Sequence, residues 1–417
     1  MPIFTRPARA GAARTYLILE TVLSLAFALA FTLQGLYFVQ SAQLTPFQLL
    51  LVGAALEGAA FLLEAPTGVI ADLYSRRLSV VLGCLFLGLG LLLVGLFPHF
   101  GVIVSAQIVS ALGYTCLSGA TEAWLADELG EERLGSMLLL GGQYGRLAGI
   151  AGIVLAAALS AFSLNLAILY GAALLLGLSL YLALRMPEDG FSPLAERPNW
   201  QAFGATLLSG VQAIRASRVL GLLVLAGLLY GASSEALDRL NEYHLLRDIG
   251  LPGLGSPALW FAGLSLAGLL LGLAVTEPLR RHLEVRKVAL VARLLGVLTA
   301  LSLLGILAFA YAPGFWWAAA AQVSLSVVRG LYGPLYTTWL NTGLASGNRA
   351  TVNSLASQAD ALGQVSFGPL FGVGGNLWGV PAALALAALV RLPLLLVLRA
   401  GRSTNSGGKL HSDMRLD

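Results

Sequence analysis

The feature that most constrains this chain is a run of apolar residues that returns, at similar length, along almost the whole sequence. Starting at Tyr16 it lasts to about Val39, and stretches of the same kind follow at 47–71, 78–97, 101–126, 135–160 and 164–185. After a polar interval they resume at 219–243, 256–278, 287–311, 314–344, 350–375 and 379–399. A helix needs about 20 predominantly apolar residues to cross the hydrocarbon of a bilayer, and each stretch meets that length. Only 11% of residues are charged, 57% are hydrophobic, and the mean hydropathy is +0.81. A soluble domain runs at about 25% charged residues; this chain has too few to cover a soluble surface of its size. The expected class is an all-α polytopic membrane protein with twelve transmembrane helices in two pseudo-symmetric six-helix halves.

The N-terminal Arg6, Arg9 and Arg14 followed by an apolar run could pass for a secretory signal. Signal cores are about 7–15 residues long, and the run here is longer, so an uncleaved first span is expected. Placing the N-terminus in the cytoplasm puts nineteen of the 25 Lys and Arg residues in cytoplasmic segments, two (Arg239 and Arg247) outside, and four within spans. That asymmetry follows the positive-inside rule and predicts a multi-pass protein of the cytoplasmic membrane with both termini cytoplasmic. Topology accounts for the net charge of +4 without a nucleic-acid partner.

The expected domain organisation is a cytoplasmic segment 1–14, a six-helix half 15–186, a linker 187–218, a second six-helix half 219–400 and a cytoplasmic tail 401–417. The linker opens with PEDGFSPLAERPNW and continues as WQAFGATLLSGVQAIRASR, whose apolar spacing suits a helix lying on the membrane surface. The halves resemble one another. LSVVLG after Arg76-Arg77 parallels VALVAR after Arg286-Lys287, and TEAWLADEL at 121–129 parallels YTTWLNTGL at 336–344, with Trp124 over Trp339. Internal symmetry of this kind marks secondary transporters.

Between spans two and three stands EAPTGVIADLYSRR, with Gly68, Asp72, Arg76 and Arg77. A glycine, an aspartate four residues on, and an arginine pair four and five beyond that resemble the signature loop of the major facilitator superfamily. Leu73 and Ser75 depart from it where a basic residue and a glycine are usual. The resemblance covers residues 15–400. EAPTG and SGATEAWLADE are similar to the drug-exporter branch, the drug/proton antiporters. Span four lacks the arginine common in that branch, and its Gly-Pro pair occurs in span eleven, GQVSFGPLFGVGG, instead of span five. The resemblance implies alternating access between the halves, a functional monomer, and a cytoplasmic latch made by Gly68, Asp72, Arg76, Arg77 and Arg133. Gly68 would permit close helix approach. Asp72 would meet the partly positive N-terminus of span eleven near Asn348–Thr351.

A charge inside hydrocarbon costs at least about 2.5–3.5 kcal/mol at the midplane, so each one requires a role. Glu57 and Glu64 lie seven residues apart, two helical turns on one face. The other candidates for a proton-coupling or substrate cavity are Glu122, Arg146, Glu235, Asp238, Arg329 and Asp360. Structural pairing of Glu122 with Arg146, or of Asp360 with Arg329, is the competing role. Glu20, Arg293 and Arg391 are expected to snorkel to span ends. Tyr37, Phe38, Tyr114, Tyr144, Tyr230, Trp260, Tyr332 and Trp339 could line the cavity or simply pack. Cys84, Cys116 and the histidines show no metal-ligand spacing, and no phosphate loop or nucleophile–base arrangement appears. No metal, no cofactor and no enzymatic activity are expected. The expected function is proton-coupled efflux of a small amphiphilic molecule. Uptake of a polar or anionic solute is the first alternative, and a non-transporting or lipid-handling protein on the same fold is the second.

Overall fold

The computed structural model describes residues 7–191, 211–212, 214–215, 217–282, 288–342 and 346–406. The expected surface helix of the linker and residues 407–417 of the tail lie for the most part outside the described residues. The described residues are helical and contain no strand. Twelve spans follow one another. Span one is Pro7–Phe31 continued by Gln34–Gln40, span two is Pro46–Leu73 and span three is Arg76–Leu96. Span four joins Phe100–Leu117 to Ala120–Leu129, span five is Glu131–Leu159 and span six is Leu164–Arg185. Span seven runs Arg218–Tyr243 and ends in a π-helical turn, His244–Ile249. Spans eight to eleven are Pro257–His282, Val288–Ala310, Phe315–Leu340 and Ser346–Trp378, and span twelve joins Val380–Leu389 to Arg391–Ser406. Ten of the twelve are long and apolar enough to cross a membrane by length and composition. Spans ten and eleven are long enough but fall short in apolar character.

The breaks have local causes. At Gly119 φ is +73°, a conformation that favours glycine, and there span four turns a corner before its polar end. In span twelve the break falls at Val390. Pro393 has no N–H to give the carbonyl of Leu389 four residues back, so the first helix stops there and a new one begins at Arg391.

The chain forms two compact units. The first contains residues 1–44, 55–198 and 255–262, and the second contains 45–54, 199–254 and 263–417. In the first unit span one packs on spans five and six, and span three packs on spans four and six. In the second unit span seven packs on eleven and twelve, and span nine on ten and twelve. The four pairings are the same once six is added to each span number, so the weak sequence repeat corresponds to a repeated helix arrangement. Buried hydroxyls and amides tie span three down: Ser79 donates to the Cys116 carbonyl (2.8 Å), Ser179 to Val81 (2.9 Å) and Asn165 to Gly95 (3.1 Å). In the second unit Leu223, Leu295, Leu335, Val352 and Leu394 form a common apolar core.

The structure lengthens span seven by a turn beyond the sequence expectation, to Ile249. Arg247, expected beyond it, falls within its last turn. His244 fixes that end: its ring lies edge-on to Phe309, Nδ1 is 2.8 Å from Asp248 and Nε2 is 3.2 Å from the Phe309 carbonyl.

Candidate functional site

The second unit carries a polar core across the middles of spans seven, ten, eleven and twelve. Span seven contributes Tyr230, Ser233, Glu235 and Asp238. Close backbone contact brings span eleven beside it. A Cβ on Gly231 would stand 2.1 Å from the Asp360 carbonyl oxygen, and one on Gly363 2.1 Å from that of Leu228. Only glycine permits that crossing.

Glu235 is 1% exposed. Its carboxylate accepts from Arg239 Nε at 3.0 Å, one turn along the same helix. Two glycines make room for it. A Cβ on Gly53 of span two would lie 1.7 Å from its Oε1, and one on Gly368 of span eleven 3.3 Å from its Cγ. Pro369 follows Gly368 and interrupts the hydrogen-bond ladder of span eleven at this level.

Asp238 and Arg329 form a two-pronged ion pair; the Nη2 to Oδ2 distance is 2.7 Å. Arg329 therefore pairs with Asp238 and not with Asp360, because the Asp238 carboxylate faces span ten while Asp360 accepts from Gln364 Nε2 (2.7 Å) on its own helix. Arg391 was expected to snorkel and does not. It is 0% exposed, and its Nε donates to Ser233 Oγ at 2.7 Å. The guanidinium lies 4.9 Å from the Tyr230 ring centroid. The break at Val390 sets Arg391 in the interior of span twelve, too far from either end for its stem to reach out. Tyr230 stacks on Tyr332 with centroids 4.3 Å apart, and Tyr332 on Tyr336 at 6.1 Å.

The first unit carries a more open set. Glu57 and Glu64 are half-buried on span two and act electrostatically on Tyr114 of span four, which is 59% exposed. Glu122 and Arg146 are both exposed and form no ion pair with one another, so the expected pairing is not made. Exposed Tyr144 flanks Arg146. Glu20 does not reach a span end: its Oε1 accepts from Ser24 at 3.5 Å and lies 3.1 Å from where a Cβ of Gly145 would stand. Arg293 is exposed near the start of span nine. Tyr37, Phe38, Tyr332 and Trp339 are buried.

At one end of the first unit the latch residues meet a segment that the sequence leaves in the linker. Arg76 pairs with Asp127 and also donates to the Ala123 carbonyl at 2.8 Å. Arg77 donates through Nη2 to the Ala183 carbonyl. The segment Pro187–Phe191 folds back onto them. Glu188 accepts from Ser75 Oγ (2.7 Å) and from the Arg77 backbone N–H (2.9 Å), and Trp124 Nε1 donates to the Pro187 carbonyl (2.7 Å). Asp72 is exposed. The side chains of 348 and 350, in the expected docking region of Asp72, lie outside the described residues. No described atom lies within 4 Å of a Cβ built at Gly68. Arg133 is half-buried. Arg391, Ser233, Glu188 and Gly53 escape sequence reasoning because their partners are far along the chain; the break before Pro393 is the only local hint.

The sequence profile of the Major Facilitator Superfamily matches residues 16–368. The chain belongs to that superfamily. It is 24% identical over 364 residues to the uncharacterized MFS-type transporter YxaM of Bacillus subtilis (strain 168), covering 84% of this chain and 86% of YxaM. Among solved structures, a variant of the nucleoside transporter NupG superposes with a TM-score of 0.76 at 14% identity, covering 94% of this chain and 99% of NupG. A variant of the peptide transporter POT gives 0.74 at 16% identity, with 98% and 97% covered. The fucose:proton symporter FucP of E. coli gives 0.58 at 18%, with 93% and 98% covered. At these identities the likeness is one of fold, and family membership indicates a transporter.

Proposed function

We propose that the chain is a secondary active transporter that moves a small amphiphilic molecule by alternating access, coupled to protons through Glu235. The observation that carries this reading is a carboxyl group buried halfway along span seven, in a pocket two glycines keep open, with one arginine beside it. Such a group can exist as an ion pair with Arg239 or as a neutral acid. Passing between the two changes the charge of the site by one, and in a low-dielectric core that change can drive a conformational equilibrium. The fold supplies the rocking halves. Export is the direction favoured by the likeness of EAPTG and SGATEAWLADE to the drug-exporter branch. The Arg76–Asp127 pair and the Glu188 contacts support a latch role for the loop between spans two and three, with Asp72 as its exposed arm. In this reading the protein works as a monomer in the cytoplasmic membrane, with both termini cytoplasmic. It works with protons and a small solute, and without cofactor, metal or nucleic acid.

The test is transport in proteoliposomes under an imposed pH gradient, with a panel of anionic, cationic and neutral fluorescent amphiphiles. Gradient-driven movement of a panel member is expected. Glu235→Gln should abolish the response to the gradient while leaving solute exchange at equal pH in place. A gradient response that survives Glu235→Gln removes Glu235 from coupling. Solute movement in the same direction as the protons would replace export by uptake.

A further inference from the structure

Arg391 is the most expensive side chain in the second unit. It is fully buried in the interior of a membrane span, and only its Nε is engaged, by Ser233. Among the described residues no acceptor reaches Nη1 or Nη2, although both atoms are buried. The acids that could have paired with it are committed elsewhere: Asp238 to Arg329, Glu235 to Arg239, and Asp360 to Gln364. A charge kept this deep without a partner carries a large desolvation cost. Packing does not explain it, since a leucine or methionine would fill the space without that cost. The free edge is the two-nitrogen fork that binds carboxylate or phosphate oxygens in parallel. Beside it stands a second unused donor. The hydroxyl of Tyr332 is buried and has no partner among the described residues, while the hydroxyl of Tyr336 is occupied by the Leu223 carbonyl at 2.7 Å. The Tyr230–Tyr332–Tyr336 stack gives the site an aromatic wall.

We propose that Arg391 and Tyr332 form an oxyanion-binding site in the second unit, taking a small solute that carries a carboxylate or phosphate group on an apolar, preferably aromatic, body. Ser233 fixes the guanidinium through Nε, and Tyr230 supports its face, so the fork is presented already oriented. The inference rests on the transporter reading for the solute's route to the site; the binding chemistry stands without it.

The probes are phenyl phosphate and phenylacetate, with benzyl alcohol as the neutral control. Binding is followed by intrinsic fluorescence and thermal shift, with the full chain in nanodiscs and no gradient applied. Both anions are expected to bind and to raise the unfolding temperature, and benzyl alcohol to do neither. Arg391→Lys, which keeps the charge but not the fork, should weaken anion binding about tenfold or more. Tyr332→Phe, which removes one hydroxyl and keeps the stack, should weaken it several-fold. Ser233→Ala should weaken it while leaving fold and stacking intact. Equal affinities in wild type, Arg391→Lys and Tyr332→Phe would overturn the proposal, as would no binding of either anion at millimolar concentration. Stabilisation that appears only in phosphatidylglycerol discs and ignores the free probes would assign the fork to a lipid phosphate and overturn the solute assignment. Because no transport is measured, Arg391-dependent binding can persist when gradient-driven movement fails, and the two readings fall separately.

Discussion

At the residue scale, two glycines of span two have opposite roles. Gly68 belongs to the recognisable loop motif, yet a Cβ there meets no described atom; Gly53 belongs to no motif, and a Cβ there would lie 1.7 Å from Glu235 Oε1 and 2.5 Å from Arg239 Nε. The obstructed atoms are side-chain ends, but Glu235 is 1% exposed and held by its pair with Arg239. Gly53→Ala is therefore expected to push the Glu235–Arg239 pair apart. Overpacking costs about 1–3 kcal/mol, against a gain of up to about 1 kcal/mol from replacing a helical glycine. The unfolding temperature should fall and the pH dependence of transport should shift, whereas Gly68→Ala should leave the unfolding temperature unchanged or raise it. Thermal unfolding of the two variants side by side checks the contrast. The difference also marks the limit of the sequence. Intramembrane charges are legible because hydrophobic surroundings make each conspicuous, and Glu235, Asp238, Arg329 and Asp360 do converge in the second unit. The companions of each charge are not legible. Ser233 meets Arg391 across 158 positions of chain, and no local pattern encodes that.

At the scale of elements, span number and span ends were readable because hydrocarbon thickness sets helix length, and a run of charge or a turn residue closes each one. The stretch after span six was read only by its polarity. PEDGF carries a proline, two acids and a glycine, and looks like linker; in the structure its acid replaces a missing intrahelical partner. Ser75 Oγ accepts from Leu78 N at 2.9 Å, and Glu188 takes the N–H of Arg77. Two of the unpaired amides at the start of span three are thus satisfied, one by a charge placed favourably against the helix dipole. Gly190 lets the segment close on span four, since a Cβ would come within 2.4 Å of the Asp127 carbonyl. Glu188→Gln keeps the shape and removes the charge. It should lower stability by about 0.3–1 kcal/mol, the range of a charge lost beside a helix N-terminus, read as a drop in unfolding temperature. Asp72→Asn, at an exposed position, should leave the unfolding temperature unaltered and change the transport rate. An unchanged unfolding temperature for Glu188→Gln would show that the segment only rests on the first unit.

At the scale of the whole molecule, the two units repeat the same helix pairings, but the glycines at those crossings meet different atoms. In the first, span five carries Gly145 against Ser24 and Glu20 of span one. In the second, both helices carry one: Gly231 of span seven lies against the Asp360 backbone of span eleven, and Gly363 of span eleven against the Leu228 backbone of span seven. A Cβ on Gly145 would meet Ser24 Oγ at 2.7 Å, an atom that can turn aside; a Cβ on Gly231 would meet a backbone oxygen at 2.1 Å, which cannot move without the helix. Gly142 of span five has no described atom within 4 Å. Alanine at the three positions gains the same helix propensity, up to about 1 kcal/mol, so differences among them measure space alone. Gly142→Ala should stabilise slightly, Gly145→Ala should be near neutral, and Gly231→Ala should destabilise by about 1–3 kcal/mol or more, as overpacking does. The loss at Gly231 should also weaken anion binding at Arg391, because the crossing it spreads holds Ser233 two residues away. The unfolding temperatures of the three variants give the order directly. If Gly231→Ala proved as stable as Gly142→Ala, the tight span seven–span eleven crossing would not exist, and the polar core of the second unit would lose its frame.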